Sequence, residues 1–394
     1  MAVTASAIET GKEGRSRFAV LSVMMGIFSI VTTEILPIGL LTSIGRDFSV
    51  TDGTAGLMMT MPGLLAAVAA PVVTVATARA DRRRMLCAFM LLLTLANIGA
   101  AVAPGYWAML VSRVLVGITI GGFWSIAAGL AERLVPPRSA PRATAVIFSA
   151  VPLGSVLGVP AGTLIGDVAG WRAAFVVMAV LSGAVFLALT VVLPPLPAVR
   201  VTSAGVLRDL LGRPGIRAAL LVTVLVVLAH FGTYTYVTPF LEGVTGVSSG
   251  TVTLLLLVYG TAGVAGNFLA GTRAARRPHA TFGVSAALLA AATSLLPFLG
   301  LTTVGAAALL IVWGLAYGAV PVCSQTWFAR SAPHAPEAAS VLFTASFQAT
   351  ISLGALAGGA VVDRTSPSVV MSVGGLTAVL AVIAVARRSR ATDR

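Results

Sequence analysis

Twelve apolar runs punctuate this chain, at about 18–44, 54–78, 85–104, 108–134, 143–166, 174–194, 216–241, 250–271, 281–300, 303–329, 337–362 and 367–386. Each is near or beyond the roughly 20 residues a helix needs to cross a bilayer. Lipid offers no hydrogen bonds, so a spanning segment must satisfy its own backbone, and runs of this kind read as helices. The expected fold is an all-α polytopic membrane protein with twelve transmembrane helices. Charged residues are 10% of the 394 and hydrophobic residues 57%, whereas a soluble domain carries about 25% charge. The first run follows Lys12, Arg15 and Arg17 in the manner of a signal peptide. It is too long for one, lacks a small-residue cleavage site and precedes eleven more spans, so it is read as a retained helix.

Lys and Arg sit on one side of the expected bundle. They precede the first helix, follow the second (Arg79, Arg82, Arg83, Arg84) and the fourth (Arg133, Arg138, Arg142), and recur at Arg200, Arg208, Arg213 and Arg217, at Arg273, Arg276 and Arg277, at Arg330, and from Arg387 to the end. The other side has Arg46, Arg172 and Arg364. The asymmetry places both termini in the cytoplasm and makes the net charge of +13 a topology signal rather than a nucleic-acid surface. Residues 195–215, rich in Pro at 194, 195 and 197, separate two six-helix halves. The organisation is a tail at 1–17, a half at 18–194, the linker at 195–215, a half at 216–386 and a tail at 387–394. The halves repeat at nearly constant offset: Asp81-Arg82-Arg83 matches Ala275-Arg276-Arg277, and the segment ending at Asp167 matches the one ending at Asp363. A parallel repeat of this kind places a substrate cavity between the halves near the midplane.

Glu34 stands inside the first run, with Pro37 one turn beyond it. A carboxylate in a span costs roughly 2.5–3.5 kcal/mol on insertion scales. Pro37 removes a helical hydrogen bond. The pairing of charge with a weak point suggests a transport path or a proton site; the alternative is a structural glutamate satisfied by a neighbouring helix. Arg113 in the fourth run is at similar depth, and the two read either as a coupling device or as a fixed ion pair that packs two helices. Cys87 and Cys323 lie in apolar runs without metal-ligand spacing, and no phosphate loop, zinc cluster or nucleophile triad appears. Neither catalysis, a metal nor a cofactor is expected.

These residues resemble the major facilitator superfamily, in its twelve-helix drug:proton antiporter branch. Asp81-Arg82-Arg83-Arg84 looks like its cytoplasmic signature after helix two, with Thr77 where a glycine is usual; the second copy keeps Gly271 and Arg276. The resemblance implies gating roles for these loops and proton coupling for Arg113 in Leu110-Val111-Ser112-Arg113. Gly154-x-x-x-Gly158-Val159-Pro160 resembles the exporters' helix-five motif and implies export. Thr32-Thr33-Glu34, Phe123-Trp124-Ser125, Ala229-His230 with Tyr234-Thr235-Tyr236, and Gln325 look like blocks of bacterial sugar efflux transporters of the arabinose-exporting kind, while Ile120, Thr238 and Gln348 depart from them.

His230 and Tyr234, four apart, share a helix face. With Trp124 and Tyr236 they would supply rings, and with Gln325 and Gln348 polar groups, to a polyol or polar drug. The function expected is a proton-coupled exporter of a small molecule by alternating access, monomeric, in the bacterial cytoplasmic membrane; the alternative is an uncoupled facilitator or receptor on the same fold.

Overall fold

The computed structural model describes residues 2–77, 80–127, 130–197, 204–274 and 277–392. Among them, twelve helices are long and apolar enough to span a membrane: α1 (Ser16–Asp47), α2 (Asp52–Val73), α3 (Arg82–Ala101), α4 (Tyr106–Trp124), α5 (Arg142–Ala169), α6 (Trp171–Val192), α7 (Pro214–Gly243), α8 (Ser249–Ala270), α9 (Pro278–Leu299), α10 (Thr303–Ser331), α11 (Val341–Val362) and α12 (Pro367–Arg387). No strand occurs among the described residues.

Local chemistry sets the helix ends. Thr51 and Thr302 accept from the backbone N–H of Thr54 and Gly305, and Asp81 from that of Arg83, satisfying donors a helix start leaves open. Pro214 and Pro278 occupy first helical positions, where no N–H is needed. Gly170, at φ 81°, turns the chain between α5 and α6 in one residue. Within the expected linker, residues Ala204–Leu211 form a short helix whose Leu210 is buried in the core of the second half.

The packing repeats. α1 lies on α5 as α7 lies on α11; α2 on α4 as α8 on α10; α3 on α6 as α9 on α12. Across the middle, α2 meets α11 and α5 meets α8. Small residues permit the close approach, since in lipid no hydrophobic contrast drives helices together. On α5, Gly154, Gly158, Gly162 and Gly166 recur every four residues against Val31, Ile35, Leu36 and Leu40 of α1, where a Cβ would come within 2.5–3.1 Å. The Gly154–Gly158 motif thus seats α5 on α1, and Pro160 lies within the same helix.

Candidate functional site

Near the centre of the bundle four prolines weaken three helices: Pro37 in α1, Pro62 in α2, and Pro152 and Pro160 in α5. Each deprives the carbonyl four residues earlier of its partner. For Pro37 that carbonyl belongs to Thr33, and for Pro62 to Met58. Both are taken up by Arg113, which is fully buried on α4: Nη1 donates to the Thr33 oxygen at 2.9 Å and Nε to the Met58 oxygen at 3.0 Å, while Nη2 donates to the Glu34 carbonyl at 2.9 Å. A guanidinium has five N–H donors in a fixed fork, suited to bridging separated acceptors. Arg113 therefore clamps α1 and α2 at their proline breaks.

The direct side-chain ion pair expected between Glu34 and Arg113 is not formed, because proline-freed carbonyls take the guanidinium. Glu34 is 8% exposed, and its Oε1 accepts from Gln348 Nε2 of α11 at 3.1 Å. Gln348 Oε1 is buried and has no partner among the described residues. A carboxyl of the first half thus touches an amide of the second, and Gln348, expected to bind substrate, is engaged by Glu34.

The second half contributes rings. His230 on α7 stacks on Tyr317 of α10 at an interplanar angle of 7° and on Tyr234 at 19°, and Tyr234 stacks on Tyr259 of α8 with centroids 4.5 Å apart. Trp313 stands edge-on to His230 and donates its indole N–H to Nδ1 at 3.0 Å, which leaves Nε2 as the imidazole donor. Two helices are interrupted here. Between Tyr234 and Val237 α7 breaks its helical pattern, and α10 breaks at Ala319, with Pro321 following. Discontinuous helices at a repeat interface are where transporters build binding sites. A cavity of about 120 Å³ opens beside the rings, lined by His230, Tyr234, Tyr259, Tyr317 and Asn267 from the second half and by Ile35, Pro152 and Val156 from the first. Pockets that hold drug-sized ligands run to about 300–1,000 Å³, so the halves must part for such a molecule to enter.

His230 and Tyr234 were expected here, and Tyr259, Tyr317 and Asn267 were not. Their signals were present: Trp313 and Tyr317 share a helix face four residues apart, and four of the five tyrosines lie in the second half. Other expected residues lie elsewhere. Trp124, partly buried at the end of α4, packs against the core of the first half and does not line the cavity. Gln325 is exposed on α10, two turns beyond Tyr317, and does not line the cavity. Tyr236, within the break in α7, is fully buried and donates to the Ala355 carbonyl at 2.7 Å, tying α7 to α11.

The loop motif serves its own half. Asp81 Oδ1 accepts from the Arg83 and Leu196 N–H groups, Arg82 donates to the Thr77 carbonyl at 3.1 Å, and Arg83 donates to the Thr190 carbonyl at 2.6 Å. Gly271 continues the α8 helix, and Arg276 lies outside the described residues. Contacts between halves gather from Glu34 toward the opposite end. Asp363 accepts from the Thr51 hydroxyl at 2.7 Å and the Gly53 N–H at 2.8 Å, Thr238 donates to the Ile38 carbonyl at 3.0 Å, and Arg46 lies 3.6 Å from Glu242.

Two pseudo-symmetric six-helix halves, meeting around a central polar and aromatic site, define a secondary membrane transporter. The chain belongs to the Major Facilitator Superfamily, whose profile matches residues 21–355. It is 34% identical over 367 residues to the transcription regulatory protein OpdE of Pseudomonas aeruginosa, covering 91% of this chain and 90% of that one. To the purine ribonucleoside efflux pump NepI of Escherichia coli K12 it is 32% identical over 352 residues, covering 89% of each. Among solved structures, a bacterial homologue of the human lysosomal transporter Spinster in an inward-facing, occupied conformation superposes with a TM-score of 0.75 at 17% identity, over 95% of this chain and 97% of that one.

Proposed function

We propose that this transporter exports a nucleoside-like molecule, a flat heteroaromatic ring joined to a polyol, in exchange for protons. The observation that carries this reading is the ring cluster at the cavity wall: His230, Tyr234, Tyr259 and Tyr317 lie parallel or nearly parallel to one another and line the cavity. A stacked base is worth roughly 1–3 kcal/mol through its π-face, which a pentose lacks. The resemblance to pentose exporters then falls on the ribose portion, and the 32% identity to a purine ribonucleoside efflux pump supports the same substrate class.

Coupling is assigned to Glu34. It is a buried carboxyl within a membrane span at the contact between halves, and Arg113 and Gln348 hold its backbone and side chain. A proton there biases the two access states, and substrate competes with it. Charge asymmetry supports cytoplasmic termini, so the end closed by Asp363 faces outward and substrate enters from the cytoplasm.

The test is transport in proteoliposomes with and without an imposed pH gradient, using purine nucleosides, pyrimidine nucleosides, pentoses and chloramphenicol-like drugs. Gradient-dependent movement of nucleosides is expected. Pentose movement with no nucleoside transport would overturn the substrate class, and movement indifferent to the gradient would establish an uncoupled facilitator.

A further inference from the structure

At the arginine-rich end of the second half, α8 and α9 splay apart over α10 and leave a lateral groove of about 850 Å³. Its body is apolar, formed by Leu269, Val284, Leu288 and Leu315, and its mouth carries Arg273 and Arg277. From Arg277 to Leu288 the α9 side runs eleven residues, about 16 Å at 1.5 Å per residue. That is about half of a ~30 Å hydrocarbon core, the depth of one leaflet.

Among the described residues no ion pair neutralises the charge at the mouth. No Asp or Glu occurs between Glu242 and Glu337, so α8, α9 and α10 contain no acidic residue. The repeat supplies the contrast. Arg79 and Arg83 correspond to Arg273 and Arg277, and Asp81 corresponds to Ala275. In the first half Asp81 caps its helix and Arg83 is spent on the Thr190 carbonyl of α6. In the second half the acid is lost and both arginines, exposed, line the groove.

We infer that this groove binds one anionic phospholipid from the adjoining leaflet, its phosphate on Arg273 and Arg277 and an acyl chain along α9. An apolar body of one-leaflet length beneath an unneutralised arginine pair is complementary to that ligand. Basic pockets between membrane helices are a recurrent headgroup site.

Purified full-length protein in mild detergent is titrated with dioleoyl phosphatidylglycerol, dioleoyl phosphatidylcholine or glycerol 3-phosphate. The readouts are thermal midpoint and bound lipid by native mass spectrometry. Phosphatidylglycerol should saturate at lower concentration than phosphatidylcholine, and glycerol 3-phosphate should shift nothing. Each arginine is worth about fivefold near an anionic surface, so Arg273→Gln with Arg277→Gln should weaken phosphatidylglycerol about thirtyfold and erase the headgroup difference. Ala280→Trp, which fills the groove but keeps the arginines, should weaken both lipids. Equal binding of the two lipids by the parent, an undiminished headgroup preference in the double variant, or a shift with glycerol 3-phosphate alone would overturn the assignment. Should the double variant fail to fold, the parent comparison and Ala280→Trp still decide it.

Discussion

The centres of the two halves, built on one repeated plan, are chemically opposite. In the first, Arg113 and Glu34 are buried among proline-broken helices and the chemistry is charge held by backbone carbonyls. In the second, the corresponding space holds His230, Tyr234, Tyr259, Trp313 and Tyr317, and the chemistry is ring faces. Duplication fixed the framework and left each half free to specialise; on the function proposed above, one would carry the coupling ion and the other would recognise the cargo. The single side-chain bridge between them described at this depth, Gln348 to Glu34, is where the two tasks would meet.

The largest expected effect breaks the charged half. Arg113→Ala strands the Thr33, Met58 and Glu34 carbonyls and should destabilise the protein by about 1–3 kcal/mol for each buried acceptor left unpaired. The clamp makes a sharper claim. Pro37→Ala restores an N–H for the Thr33 oxygen, so the loss from Arg113→Ala should be smaller in that background, by about 0.5–3 kcal/mol. Unfolding midpoints of the parent, both single variants and the double variant measure this, and strictly additive losses would show that Arg113 does not serve the proline break.

Next comes the division of labour itself. Glu34→Gln keeps shape and the contact with Gln348 while fixing a neutral side chain. Gradient-driven efflux should fail, and exchange of substrate for substrate, which needs no net proton movement, should persist. Paired assays on one purified sample decide it; retained uphill transport would remove Glu34 from coupling.

Third, Tyr317→Leu should weaken nucleoside affinity by roughly 5- to 150-fold, the range for a lost stacking face. Coupling should be intact, with the same number of protons moved per substrate. A variant that binds nucleosides like the parent would deprive the ring cluster of its role.

Much of the first half was legible in the sequence because lipid makes its features expensive. A span must be apolar and helical, and a charge within it must have a reason, so the twelve helices, Glu34 and Arg113 stood out. What Arg113 touches was hidden although its parts were visible: Pro37 and Pro62 each free a carbonyl four residues back, but which side chain arrives depends on helix rotation and tilt. The same ignorance of rotation left open which side Trp124 and Gln325 present; neither lines the cavity beside His230. Tyr259 and Tyr317 reach His230 only through the packing of α8 and α10 on α7, which no local spacing reveals.

The smallest effect probes what reads the edge of the ring. Asn267 lines the cavity beside Tyr259 and Tyr317, and an amide presents a donor and an acceptor together. The adenine edge offers N6–H₂ and N7 in the complementary order, the pairing asparagine uses elsewhere. Asn267→Ala should therefore weaken adenosine by about two- to tenfold, the worth of a hydrogen bond of roughly 0.5–1.5 kcal/mol. Purine riboside, which lacks the exocyclic amine, should lose less, and a pentose nothing. Competition against one labelled nucleoside gives all three values. Equal losses for adenosine and purine riboside would move Asn267 from the base edge to the ribose, leaving ring stacking in the second half as the whole basis of base recognition.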